Sequence, residues 1–418
     1  MQFLDNLPFD LNLLPPVYVV GGAVRDALLM RVRAELDLDL VIAAGAVAVA
    51  RQLATEYRAG FVLLDAERQI ARVVFPGLTV DIAQQDGGSI TDDLARRDYT
   101  INAIAYDLQT KELLDPLNGT QDIQQRMLRM VSRDNLISDP LRLLRAYRQG
   151  AQLNFKIESG TRRAIRELVP LLTTVAAERV LMELRYLLQA PSSSRWLAMM
   201  VADDLLTGWL EIPVRDVVDR LAKFDRACQL IQRYYPALDR ELDRALRDTM
   251  AISRKSLGKF TLLLSLDLQL ATAQMLRLTF SSAEIQVVTT AITYLPQLLG
   301  TEMSLTEQYF WFQSVGNNFP LLVILAITAG VELVDLVTSI DRYLDPHNQV
   351  AHPTPLVSGR DLVESLKIPP SPTIGKLLTE IQIARILGKI STSADAIEFA
   401  REWILSIDTA VLRNIGDT

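Results

Sequence analysis

The chain has 418 residues, 49% hydrophobic, 22% charged and 6% aromatic, with a formal net charge of −7. That is apolar material for about two to four domains, and it excludes disorder as the main state. One cysteine, Cys228, and two histidines, His347 and His352, exclude a disulfide scaffold, a cysteine-based zinc site and histidine-rich hydrolase chemistry.

The first ten residues, MQFLDNLPFD, lack the basic stretch and apolar run of an export signal. The longest apolar runs, 40–50 and 321–331, fall short of the roughly 18 residues a spanning helix needs, so no membrane segment is expected. Residues 17–131 alternate short β-rich runs with turns and short helices. VYVV, LDLDLVI, FVLLD, ARVVF and LTVDIA read as strands, and AVRDALLM and AVAVARQLATEY as helices. From about residue 139 the pattern is helical at the 3.6 period, with breaks expected at 190–194, 211–213, 253–259 and 347–359. No internal repeat is visible. The expected fold is α+β: a small N-terminal head with a mixed sheet, followed by an all-helical remainder. Cys228 is expected to be buried in a reducing cytosol, and Trp196, Trp209, Trp311 and Trp403 are expected in the core. The acidic balance argues against a chain that coats nucleic acid without specificity, yet leaves room for a local basic groove.

Four segments of the head carry chemistry. In VYVVGGAVRDALL a strand ends at Gly21-Gly22 and a helix follows. The glycines let backbone approach a ligand, the helix start favours an anion, and Arg25 lies one turn in; a plain tight turn is the simpler reading. In ELDLDLV, Asp37 and Asp39 are two apart on a strand and so share a face. Two adjacent carboxylates repel unless a cation lies between them, and hard oxygen ligands suit Mg²⁺; a solvated strand face with two charges is the alternative. In DDLARRDYTINAIA, Arg97 offers a bidentate fork for a triphosphate, and Asp98 and Asn102 are spaced to brace a helix. DPLNGTQD, from residue 115, is turn-rich and closes the head.

Beyond the head, Asp139-Pro140 reads as a helix start, with Asp as cap and Pro at the first helical position. Arg142, Arg145 and Arg148 follow at three-residue steps, while Leu141, Leu144 and Ala151 can face the core. Taken alone this stripe also reads as a solvated basic face.

In this order, the motifs resemble the polymerase-β-like nucleotidyltransferases, and most closely the class II tRNA CCA-adding enzymes and bacterial poly(A) polymerases. GGAVRD and RRDYTINAIA are near-verbatim family motifs, and DLDLV is the catalytic DxD. SDPLRLLRAYRQGAQLNF resembles the family's nucleotide-selecting helix, ERVLMEL the motif after it, and residues 355–400 the tail that grips tRNA. The resemblance implies a nucleotidyltransferase head (1–138), a helical neck with the selecting helix (139–212), a helical body (213–346) and a helical tRNA-binding tail (347–418). It implies transfer of nucleotides from CTP or ATP to the 3′ end of tRNA in the cytoplasm. Asp37 and Asp39 would hold Mg²⁺, with Asp81 a third carboxylate, and Gly22, Arg25 and Arg97 would hold the triphosphate. Asp139 and Arg142 would pair with the base, alongside Arg145 and Arg148. Cytosine and adenine both offer an exocyclic amino donor beside a ring-nitrogen acceptor, which a carboxylate and a guanidinium complement. The family usually has Glu where this chain has Ser138, which would take over local capping.

Arg162, Arg163, Arg166, Arg179 and Arg185 make the following stretch basic enough for RNA backbone contacts. In the tail, Gly375 and Lys376 in a helix start suit a tRNA phosphate, though a Pro-defined helix entry explains the same residues. Only ten residues, IAQQDGGSIT, separate Asp81 from Asp92. CCA-adding relatives hold a longer flexible loop there, used to reshape the pocket for the last ATP. The resemblance therefore favours a CC-adding enzyme. Full CCA addition, A addition, a poly(A) polymerase and a noncatalytic tRNA-binding protein stay open, as does oligomeric state.

Overall fold

The computed structural model describes residues 4, 7–11, 14–31, 36–212, 216–246, 252–300 and 302–416, with side chains described as far as residue 405. Pro213, within one expected break, lies outside the described residues. The chain forms two compact units, Met1–Val214 with Arg277–Thr279, and Arg215–Leu276 with Phe280–Thr418.

The first unit runs β1 (Val17–Val20), α1 (Gly22–Leu28), β2 (Leu36–Ile42), α2 (Ala46–Glu56), β3 (Gly60–Asp65), β4 (Ile70–Phe75), β5 (Leu78–Gln84), α3 (Ile90–Ala95), β6 (Ala105–Asp107) and β7 (Leu113–Leu114). It continues with α4 (Gly119–Gln124), β8 (Met127–Leu128), α5 (Arg133–Ser138), α6 (Leu141–Leu153), β9 (Lys156–Ile157), α7 (Ser159–Leu168), α8 (Ala177–Leu188) and α9 (Ser193–Ala202). All five expected strands form. The order across the seven-stranded sheet is β3-β4-β5-β2-β1-β6-β7. Its β2–β5 pair is parallel and its other pairs antiparallel, so the sheet is mixed as expected.

Strand β2 lies at the centre, hydrogen-bonded on both sides, and its alternation sorts its side chains. Leu38, Leu40 and Ile42 are buried, registered beside Val80 and Ile82 of β5, which in turn register with Val73 and Ala71 of β4. Burying each such side chain contributes about 1.5–3 kcal/mol. Asp37 and Asp39 take the other face, whose far end is closed by Val41 packed with Ile90 and Leu94 of α3. The short strands β6 and β7 lacked a legible alternation. Strand β9, which pairs in parallel with β8, is an exception to the all-helical expectation beyond residue 139.

The second unit holds α10 (Val217–Tyr234), α11 (Pro236–Asp243), α12 (Arg254–Thr261), α13 (Leu268–Arg277), α14 (Ser282–Leu299), α15 (Leu305–Val315), α16 (Phe319–Ala329), α17 (Leu333–Leu344), α18 (Gly359–Leu366), α19 (Pro372–Ile386) and α20 (Ser393–Gly416). Of the expected break at 253–259, residues 254–259 are helix instead. Ser253 caps α12 by accepting from the Ser256 amide. A Cβ at Gly258 would lie 2.5 Å from Leu321 and 2.7 Å from Phe224, so its absence lets α12 seat against α16 and α10. The run Leu305–Ala329 has the length and apolarity to cross a membrane. Its apolar residues from Phe319 to Ala326 are buried in the unit's own core, as a core helix requires. Leu362, Leu377, Ile381, Ala396 and Ala400 form a separate tail core, with Trp403 packed against it. Trp196, Trp209 and Trp311 are buried. Cys228 is only half-buried, though burial pushes its thiol up to about 12.

Candidate active site

A cleft of about 1850 Å³ opens in the first unit. Asp37, Asp39 and Asp81 line its floor, with Gly21, Gly22, Arg25 and Arg97 at one side and Asp139, Arg142, Arg145, Arg148 and Arg179 at another. The cleft thus gathers every residue expected to bind metal or nucleotide. Gly375 and Lys376 belong to the second unit, exposed on the first turn of α19.

The three floor carboxylates differ in what holds them. Asp81 registers beside Asp39 on the parallel neighbour strand. Both its oxygens accept from Arg72, at 2.7 and 2.9 Å. Asp37 and Asp39 accept no hydrogen bond and make no ion pair among the described residues. Burial pushes the Asp39 carboxyl up to about 6; Arg97 opposes the shift, and Asp81 and Asp37 add to it. Among the described residues no three His, Cys, Asp or Glu side chains converge as a closed metal cage. Two open carboxylates of hard oxygen on a rigid strand fit Mg²⁺, which takes one or two carboxylates and completes its shell from water and substrate phosphates.

Gly21 ends β1 at φ 70°. A Cβ there would fall 3.1 Å from an Asp39 oxygen and 3.3 Å from Arg97 Nη1, so conformation and space both call for glycine. Arg97 is aimed by Asp93, whose Oδ2 accepts from its Nε at 3.2 Å and Nη2 at 2.9 Å. Arg25 is placed differently from the expectation of a free phosphate ligand. It is buried, and its guanidinium donates to Asp26 at 2.9 Å and to Asn102 at 2.7 Å. Asn102 donates in turn to Asp98 and Gln149, each at 2.9 Å. Asp98 and Asn102 therefore do brace a segment, but through a 3-10 turn, Thr100–Asn102. Burial alone would raise the Asp98 carboxyl; Arg145 at 2.8 Å, Asn102 and the Tyr99 amide together hold it far below the usual range.

Helix α6 departs from its expected start. Asp139 ends α5, and its side chain does not cap α6, which begins after Pro140. Instead the carboxylate takes Arg179 Nη2 at 3.2 and 3.3 Å and lies 3.9 Å from Arg142 Nε. Ser138 donates back to the Asn135 carbonyl at 3.0 Å, closing α5 and leaving α6 uncapped by it. Arg142 Nη1 donates to the carbonyls of Arg96 and Asn135, at 2.9 and 3.0 Å. Arg148 donates to Glu183 of α8 at 2.5 Å. The arginine stripe is therefore half-buried and paired rather than a solvated face. Leu141, Leu144 and Ala151 are buried as expected. A Cβ at Gly150 would sit 2.1 Å from the Trp196 ring, so glycine lets α9 close on this helix.

The connection from β5 to α3 is short and pinned. The Gln85 amide donates to Ile42 at 2.9 Å, and the Asp86 amide to Asp93 Oδ1 at 3.1 Å. Arg96 bonds the Asp86 carboxylate. Gly87 has φ 108°, and a Cβ on it would lie 2.6 Å from Asp92 Cβ. Ser89 then caps α3, accepting from the Asp92 amide.

Residues 17–86 and 77–129 match the Poly A polymerase head domain. Residues 154–213 match the Probable RNA and SrmB- binding site of polymerase A, and 253–400 a tRNA nucleotidyltransferase domain 2. A CC-adding tRNA nucleotidyltransferase of Synechocystis sp. is 43% identical over 95% of this chain and 96% of its own. The chain belongs to the tRNA nucleotidyltransferase family. It is an enzyme, a nucleotidyltransferase, and its family is normally metal-dependent. A second CC-adding tRNA nucleotidyltransferase, of Geobacter sulfurreducens, is 30% identical over 91% of this chain and 90% of its own. The fold matches that of a CCA-adding enzyme solved with ATP, at TM-score 0.72 and 22% identity over 94% and 91% of the two chains.

Several residues that shape this nucleotidyltransferase's cleft were not singled out from sequence. Asp93 of α3 lies four before Arg97, just past the helix end, and the helical spacing still brings the two side chains together. Arg72 was reachable through the Pro76-Gly77 turn, which pairs Phe75 with Leu78 and so brings Arg72 opposite Asp81. Gln149 and Glu183 carry no local signal. Of the basic neck stretch, Arg162 is taken up by buried Asp203, at 2.7 and 3.0 Å, while Arg163 is exposed.

Proposed function

We propose that this enzyme adds the two cytidines of the tRNA 3′ end from CTP, in the cytoplasm, and stops before the terminal adenosine. The pinned β5–α3 connection carries this reading. One template must fit a pyrimidine and then a purine for full CCA addition, so some segment must move. Here five residues, 85–89, join β5 to α3, and their backbone, side-chain and cap bonds leave no slack to act as a lever. The two CC-adding relatives point the same way.

In the reaction the tRNA 3′ oxygen attacks the α-phosphorus of CTP. A 3′-O–P bond forms, the bond to the β-phosphate bridging oxygen breaks, pyrophosphate leaves and the hydroxyl proton passes to water. Asp37 and Asp39 would hold Mg²⁺, which when bound offsets the triphosphate charge and stabilises the attacking and leaving oxygens. Asp81, neutralised by Arg72, serves as part of the floor. Arg97, aimed by Asp93 over Gly21, takes the triphosphate beside the Gly22 backbone. Arg25 holds that side of the cleft through Asn102. Asp139 accepts from the cytosine amino group, and Arg142 donates to the ring nitrogen. Its Nη1 hydrogens are both taken by carbonyls, so Nε and Nη2 face the base in a fixed fork. Uracil presents a carbonyl and a ring N–H in those places and loses both bonds. Arg145 and Arg148 keep α6 in place through Asp98 and Glu183. Exposed Arg163, with Gly375 and Lys376 of the tail, would contact the RNA backbone, and the division at 138, 212 and 346 would separate head, neck, body and tail.

The test supplies each labelled nucleotide, then CTP and ATP together, to the purified enzyme with a tRNA lacking all three 3′ residues. Two cytidines and no adenosine are expected. A full CCA end at ordinary ATP levels contradicts the CC-only reading. Long adenosine tracts, or adenosine added only to a tRNA already ending in CC, assign it to other members of the family.

A further inference from the structure

We infer that Arg179 is a positioning residue for base selection, acting through Asp139 rather than on the RNA backbone. The inference rests on the reading of Asp139 and Arg142 as the base template. Arg179 stands in the first turn of α8, where its amide donates to the Ala176 carbonyl. A cation is unfavourable at a helix N-terminus, and an anion at a C-terminus. Asp139 lies between the end of α5 and the start of α6, where its carbonyl accepts from the Arg142 amide at 3.0 Å. Arg179 thus stands at the unfavourable end of α8, and the Asp139 carboxylate offsets its charge across 3.2 Å.

The geometry fits orientation of the carboxylate. One Arg179 nitrogen spans both Asp139 oxygens, which fixes where the carboxylate is aimed while leaving lone pairs on each oxygen for a base amino group. The helix presenting Arg179 is itself fixed. Glu183, one turn further along the same face, accepts from Arg148 of α6, and Val180, Leu181 and Leu184 are buried beneath. The two template residues thus have separate supports: main-chain carbonyls for Arg142, and Arg179 for Asp139. An RNA contact would call for an uncommitted guanidinium, as on exposed Arg163.

The experiment measures kcat/KM for CTP and UTP, and KM for tRNA across a salt series, in Arg179→Gln, Arg179→Lys, Asp139→Ala and the Arg179→Gln/Asp139→Ala pair. Half-exposed Arg179 leaves the fold intact in either variant, which thermal melting checks. Arg179→Gln is expected to cut selection of CTP over UTP about tenfold, as loss of one charge-assisted contact does, with KM for tRNA within about twofold. Arg179→Lys restores part of the selection, and Arg179→Gln adds nothing once Asp139 is gone. Unchanged selection with a raised, salt-sensitive KM for tRNA would overturn the inference in favour of an RNA contact. Additive effects in the double variant would overturn it too. If Asp139→Ala itself leaves selection unchanged, the template reading fails and this inference falls with it; a change in Asp139→Ala without one in Arg179→Gln sinks the inference alone.

Discussion

The floor of the cleft and its α6 wall treat charge in opposite ways. On β2, Asp37 and Asp39 stand side by side with no hydrogen bond or ion pair among the described residues, and burial raises the carboxyl of Asp39. On α6 each arginine is committed: Arg142 to two carbonyls, Arg145 to Asp98, Arg148 to Glu183. An open pair of like charges costs stability and is retained where something else binds it; a paired stripe stabilises and fixes geometry. On the proposed function, the contrast gives chemistry to the floor and shape to the wall.

Breaking the floor has the largest expected effect. Asp37→Ala or Asp39→Ala lowers single-turnover CMP incorporation by about 10³-fold or more. Binding of tRNA, read by filter retention, stays within about twofold, because these carboxylates point into the cleft. Incorporation surviving in either variant would remove the floor from the chemistry. Both variants should fold at least as stably as the parent.

A smaller effect sharpens the contrast among the acids themselves. Asp98→Ala leaves Arg145 and Asn102 without their acceptor in a buried site, and denaturant melts should show a loss of about 3 kcal/mol. Because the folded carboxyl is held low, this contribution is full above the unfolded value near 3.8 and fades as pH falls below it. Asp81→Ala breaks a more open pair with Arg72, whose side chain is 42% exposed, and should cost below about 1 kcal/mol. Equal losses in the two variants would mean that the network behind the cleft has no special role.

What was legible in the sequence followed local rules. Period-two alternation in LDLDLVI gave the strand, its buried face and the shared face of Asp37 and Asp39. The Gly-Gly turn, the helical period beyond residue 139 and the short β5–α3 link were equally local. Partners across long sequence separations were not. Asp139 reads as a cap because Asp-Pro is a common helix start, and only the approach of α8 shows that Arg179 takes its carboxylate. Arg25 reads as a phosphate ligand because its partner Asn102 lies far along the chain. Residues 253–259 read as a break from Ser, Lys and Gly, yet packing on Phe224 and Leu321 makes 254–259 helix.

The division of labour between floor and wall is tested most directly by one competition: CTP against UTP, at equal concentration, in single turnover with Asp139→Ala. Selection for CTP should fall by at least about tenfold, the discrimination one well-placed base contact supplies, while affinity for tRNA holds. Selection as sharp as in the parent enzyme, with only the rate changed, would contradict it.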